Sequence, residues 1–199
     1  EICAKSYFHT SEFGASREER EKLIRRFQGN EAMRDLTADV IFTSPWLPFQ
    51  SPTFPNNYHP LLSDIVKSLQ SDEDDVQSMV SVLKHRFLTS NECLLHGDLH
   101  TGSIFLAGDS RVRIFDSEFC MMGPVSFDLG LLMAHILISA LSARGRENKK
   151  PQVELVESLW NSFRDVLTKL WESKHMDLEE SNDTTLSVVE KGNIYTPGM

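Results

Sequence analysis

Apolar residues recur at helical spacing over most of this chain and switch to a shorter rhythm between Cys93 and Phe115. Ser16 stands before Arg-Glu-Glu, with Glu19 three positions on, a capping-box pattern that predicts a helix to about Phe27. Gly29-Asn30 ends it, and Asn30 can cap a second helix through about Ile41. Residues 44–60, SPWLPFQSPTFPNNYHP, hold five of the eight prolines and predict an irregular loop, pinned to the core by Trp46, Phe49, Phe54 and Tyr58. Leu61 to Gln70 reads as a helix, and DEDDVQSMVSVLKHRFL as another. Acids at the start of the latter and Lys84, His85 and Arg86 near its end suit the helix dipole, so Asp72 to Asp75 reads as a solvated helix start.

From Cys93 three short strands are expected, CLLH, SIFLA and RVRIF, the last two joined by a hairpin turn at Gly108-Asp109-Ser110. A long apolar helix follows Pro124 and runs to about Ala143. Pro151 suits the first turn of the last helix, whose stripe of Val153, Val156, Leu159, Trp160, Phe163, Val166, Leu167 and Leu170 is expected to face the core. Beyond Trp171 the chain turns polar, and residues from about 176 to 199 are expected to be loose. No internal repeat is visible. The fold class is α+β, mostly helical, with one small β element.

The length, 199 residues, suits one sizeable core or one large lobe. A net charge of −9 argues against nonspecific nucleic-acid binding, which needs clustered Lys and Arg. Cys3, Cys93 and Cys120 form no CxxC pair and read as free thiols of a reducing compartment. No signal peptide is visible, and the longest apolar run, LGLLMAHILISALSA, is too short and interrupted for a membrane span. A cytoplasmic protein with neither nucleic-acid nor membrane partners is expected.

The chemistry-bearing residues lie at the ends of the short strands. Asp98 follows the first strand, with Gly97 before it to let the backbone turn tightly. A carboxylate here can orient a hydroxyl or accept its proton. His96 is expected to bond backbone and hold the loop. Asp116 and Glu118 follow the third strand; alternate residues of extended chain point the same way, so both could face one cation. Two hard oxygen ligands plus phosphate oxygens are what Mg²⁺ prefers. An acid after a strand, a hairpin and an acid pair together suit phosphoryl transfer. Asp128, at a helix start, can accept backbone N–H bonds and brace the loop. His135 reads as a satisfied core histidine. Ser103 either points its hydroxyl toward phosphate or metal, or merely starts a strand.

HGDLHTGSIF, IFDSEFCMMGPVSFDLG and, near the start, HTSEFGAS resemble methylthioribose kinases, members of the choline-kinase and aminoglycoside-phosphotransferase group with a protein-kinase-like fold. The wider group carries Asn where Ser103 stands; TGSIF is the methylthioribose-kinase form. The acid-x-acid motif of that family matches Asp116 and Glu118, with Ser117 where proline is more usual. The resemblance spans roughly residues 1 to 172. It implies ATP- and Mg²⁺-dependent phosphorylation of the 1-hydroxyl of 5-methylthioribose in methionine salvage. In that reading Asp98 is catalytic, Asp116 and Glu118 hold the metal, and Ser103 is a cofactor-binding candidate. His96, Gly97, His100 and Asp128 support the site.

The glycine-rich loop and strand lysine of such kinases have no counterpart before Asp98, so residues 1–173 read as a C-terminal lobe without its N-terminal partner. The family's C-terminal double arginine is also unmatched: the only Arg-Arg here is Arg25-Arg26, on the first helix. Residues 174–199 read as a divergent or disordered tail. Negligible activity in isolation, weak nucleotide binding and an exposed apolar face prone to homodimerisation are the expectations. The alternatives are a non-catalytic kinase-like lobe serving as a binding module, and a kinase of another small alcohol of choline or aminoglycoside type.

Overall fold

The computed structural model describes residues 1–46, 60–71, 75–108, 111–142 and 149–181. Phe49, Phe54, Tyr58, Asp72, the hairpin residues Asp109 and Ser110, and the tail from 182 lie outside them. The helices are α1 (Ile2–Thr10), α2 (Arg17–Phe27), α3 (Glu31–Phe42), α4 (Ser63–Gln70), α5 (Val76–Thr89), α6 (Phe127–Ser142) and α7 (Lys150–Ser181). The strands are β1 (Cys93–Leu95), β2 (Ile104–Leu106), β3 (Val112–Ile114) and β4 (Met121–Gly123). No helix among the described residues is long and apolar enough to cross a membrane.

Local signals explain much of this. Ser16 accepts the Glu19 amide, and the Glu19 carboxylate accepts the Ser16 amide at 2.8 Å, completing the capping box at α2. Helix α1 is not among the elements expected above, although Ala4, Tyr7 and Phe8 recur at helical spacing and are buried. Helix α7 continues to Ser181, past Trp171 where the sequence turns polar. Asn30 does not cap α3 with its side chain; that side chain is committed elsewhere, as described below.

The β structure is two ribbons rather than one element. Strands β2 and β3 pair antiparallel, Ile104 with Ile114. Strand β1 pairs antiparallel with β4, Leu95 opposite Met121 and Cys93 opposite Gly123. Strand β4 was not expected. Three residues between a turn and a Gly-Pro step carry little local signal, and a partner distant in sequence decides their conformation.

The main core gathers Ala4 and Tyr7 of α1, Ala38 of α3, Phe87 of α5, Cys93 and Leu95 of β1, Met121 of β4, Leu129 of α6 and Phe163 of α7. Tyr7 meets Phe163 edge-on at 5.7 Å, and Phe87 lies 4.6 Å from Phe127. The β1–β4 ribbon is thus sunk in the core, and everything from His96 to Cys120 is one long loop closed at its base by that pairing.

Candidate active site

Because Leu95 faces Met121, the chain leaving β1 and the chain entering β4 emerge side by side. Asp98 lies just beyond one and Glu118 just before the other. Gly97 shows how close they run. Its φ is +86°, and a Cβ there would come 2.1 Å from the carbonyl oxygen of Phe119. Only glycine offers both the left-handed backbone and the room.

Asp128, buried at the start of α6, is the clamp on this turn. Its Oδ2 accepts the His96 amide at 2.7 Å and its Oδ1 accepts the Gly97 amide at 2.9 Å. Burial pushes its carboxyl above the ordinary value, while those two donors pull the other way. The Tyr7 hydroxyl faces the same carboxylate closely enough for each to shift the other's proton affinity, yet not in hydrogen-bond geometry. Burial, followed by the Asp128 charge, pushes that hydroxyl far up. The expected bracing role of Asp128 matches this geometry.

His96 holds the loop as expected. Its Nε2 donates to the Phe115 carbonyl at 2.8 Å, and its Nδ1 accepts the Asp98 amide at 3.4 Å. Ser103 turns inward. Its hydroxyl is buried, lies 2.9 Å from the His100 carbonyl and 3.3 Å from the Asp98 carbonyl, and accepts the His100 amide at 3.0 Å. The side chain closes the turn Thr101–Ser103, and strand β2 begins one residue later at Ile104.

Asp98 itself is half-exposed. Asp116 and Glu118 are exposed, and among the described residues neither carboxylate has a hydrogen bond or ion pair. The extended alternation expected to aim both at one cation is absent. Strand β3 ends at Ile114, Asp116 is left-handed with φ of 67°, and Ser117–Phe119 forms a single 3-10 turn. Left-handed aspartate is uncommon outside turns and functional loops. Among the described residues no three of His, Cys, Asp and Glu group as a metal cage.

Two further side chains join this region. Asn30 Nδ2 donates to the carbonyls of Glu118 at 2.8 Å and Cys120 at 2.9 Å, stitching the start of α3 to the acid turn. Its separation of 88 positions from Glu118 leaves no sequence signal for it. His135 is only half-buried, and its ring stacks on His100 at 5.1 Å, so it belongs to the neighbourhood of Asp98 rather than to the core. Asp98 and His100 are themselves 3.6 Å apart, Oδ2 to Nε2. Beside the site, β2–β3 exposes Phe105, Leu106, Val112 and Phe115, with Phe105 and Phe115 stacked at 4.4 Å.

Comparison with known proteins follows the same residues. A methylthioribose kinase of Geobacillus thermodenitrificans is 37% identical over 177 residues, 89% of this chain and 43% of that protein. One from Bacillus pumilus is 33% identical over 186 residues, 94% and 45% of the two chains. One from Bacillus cereus strain G9842 is 36% identical over 200 residues, 100% and 48%. That last match runs through the tail, past Lys174, where the sequence motifs give out. The chain spans less than half the length of these relatives. Residues 32–160, which include every candidate acid above, match the phosphotransferase enzyme family model, and the chain belongs to that family.

Proposed function

We propose that this chain is the C-terminal, catalytic-loop lobe of an ATP-dependent 5-methylthioribose kinase of methionine salvage, inactive without the remainder of the enzyme. The observation that carries this reading is the β1–β4 closure, which delivers Asp98 and the Asp116–Glu118 turn to one end of one ribbon. Three methylthioribose kinases aligned over 89% or more of the chain support the choice of substrate.

Asp98 orients the sugar hydroxyl and takes its proton as the phosphoryl group arrives. Among the described residues the exposed carboxylates of Asp116 and Glu118 have no hydrogen bond or ion pair, the hard and incomplete oxygen set that suits Mg²⁺ already carrying phosphate oxygens. Bound there, the ion would neutralise charge on the transferred phosphate. Asp128, His96 and Ser103 take no part in the chemistry; they hold the loop on which Asp98 sits. The exposed rings of β2–β3 form a face suited to being covered by the absent part of the enzyme, and left bare they favour self-association.

Calorimetric titration of Mg·ATP into this chain, beside Asp116→Asn, tests the reading. Weak binding lost in the variant supports it. Binding indifferent to Asp116 removes the metal assignment. Turnover of methylthioribose by the isolated chain, abolished by Asp98→Asn, would overturn the claim that it is inactive alone.

A further inference from the structure

Asp98 has a neighbour whose geometry is more specific than packing requires. His100 Nδ1 accepts the backbone N–H of Gly102 at 2.9 Å. A nitrogen accepting that bond carries no hydrogen, so the neutral ring holds its proton on Nε2. Nε2 is the atom that points at Asp98, 3.6 Å from Oδ2. That is longer than a hydrogen bond, and a small rotation of the carboxylate closes it to one.

The ring has a fitted seat. A Cβ on Gly102 would lie 2.7 Å from His100 Cε1 and 2.9 Å from Nδ1, so the ring sits where only glycine leaves room. On its face lies the His135 ring of α6, 5.1 Å away and inclined by 22°. The backbone bond sets the tautomer and the stack sets the plane.

We infer that His100 is a positioning residue for the reaction. It donates from Nε2 to Oδ2 of Asp98, leaves Oδ1 to face the sugar hydroxyl, and is held in plane by His135. The inference rests on Asp98 being the group that meets the acceptor hydroxyl.

The test is a long-range ¹H–¹⁵N spectrum of the ¹⁵N-labelled 199-residue chain, which reads the protonated nitrogen of each histidine ring. The Nε2–H form of His100 should exceed the Nδ1–H form by roughly five-fold or more, the ratio that one net hydrogen bond sustains. Asp98→Asn should move the His100 Nε2 resonance and leave the tautomer unchanged, because the Gly102 bond remains. His135→Leu should erode the preference and His135→Phe, which keeps a ring, should restore it. Dispersed amide signals certify that each variant is folded; should His135→Leu unfold, the wild-type and Asp98→Asn spectra decide. A majority of Nδ1–H, or an Nε2 resonance indifferent to Asp98, overturns the inference. Because the spectra need no nucleotide, Mg·ATP binding that is indifferent to Asp116→Asn sinks the metal assignment of the kinase reading and leaves the His100–Asp98 pair standing.

Discussion

Replacing Asp128 with alanine removes the side chain that accepts the amides of His96 and Gly97. Each buried N–H left without an acceptor costs about 1–3 kcal/mol, so two cost about 2–6 kcal/mol. Part of this is offset, because the carboxylate's own burial is unfavourable and raises its proton affinity. A net loss of about 2–4 kcal/mol is expected, read from urea unfolding by circular dichroism, with faster hydrogen exchange at residues 96 and 97. Asp128→Asn keeps the shape but not the function. The two amides are served by different oxygens, so one of them would face the new NH₂ group, donor against donor. The pH dependence has a definite sign. The folded carboxyl binds its proton more tightly than the ordinary value of 3.8. Its contribution to stability is therefore fully present below that pH and is lost as pH rises through the raised folded value. That slope should be absent in Asp128→Asn. An alanine variant within about 0.5 kcal/mol of wild type, with residues 96 and 97 still protected, would refute the clamp.

Gly97→Ala combines a left-handed backbone with a methyl 2.1 Å from the Phe119 carbonyl oxygen; a loss of at least about 3 kcal/mol, or no soluble protein, is expected in the same urea assay. Asn30→Ala removes two hydrogen bonds and should cost about 1–2 kcal/mol, while Asn30→Asp should cost more, because its oxygens would confront the carbonyls of Glu118 and Cys120; urea midpoints of the two variants rank them. Burial pushes the Cys3 thiol up to about 11 and also raises Cys93 and Cys120, so disulfide reagents at pH 8 should label the native chain slowly and the urea-unfolded chain fast.

What could be read from the residues was local. The capping box at Ser16, the hairpin strands, the apolar helix after Pro124 and the glycine before Asp98 each carry their cause within a few positions. Asp128 was also legible, as an acid at a helix start. What escaped was decided by partners far along the chain. Strand β4 exists because β1 offers it a ladder. Asn30 looked like a cap because Asn often caps, but two carbonyls of the acid turn claim it. Ser103 offered its hydroxyl to a ligand or to a strand start, and the fold also bonds it to the backbone of the turn that it closes. His135 sits in an apolar stretch, and only the fold brings His100 against it. The alternation expected at Asp116 and Glu118 failed for a local reason, a left-handed residue that residue type alone does not announce.

The bonds that shape the loop from His96 to Cys120 span very different stretches of chain. Asp128 reaches Gly97 across 31 positions, Thr10 reaches the Leu94 amide across 84, and Asn30 reaches Glu118 across 88. Loop-closure entropy makes such long connections costly until the intervening elements have docked, and each doubling of span adds roughly 0.6 kcal/mol. The helices can condense early on nearby contacts, whereas this loop waits for α1, α3 and α6 to arrive together. It should therefore be the last part of the chain to set and the first to loosen under denaturant, so that a ligand gripping the acid turn would be felt across three distant helices at once.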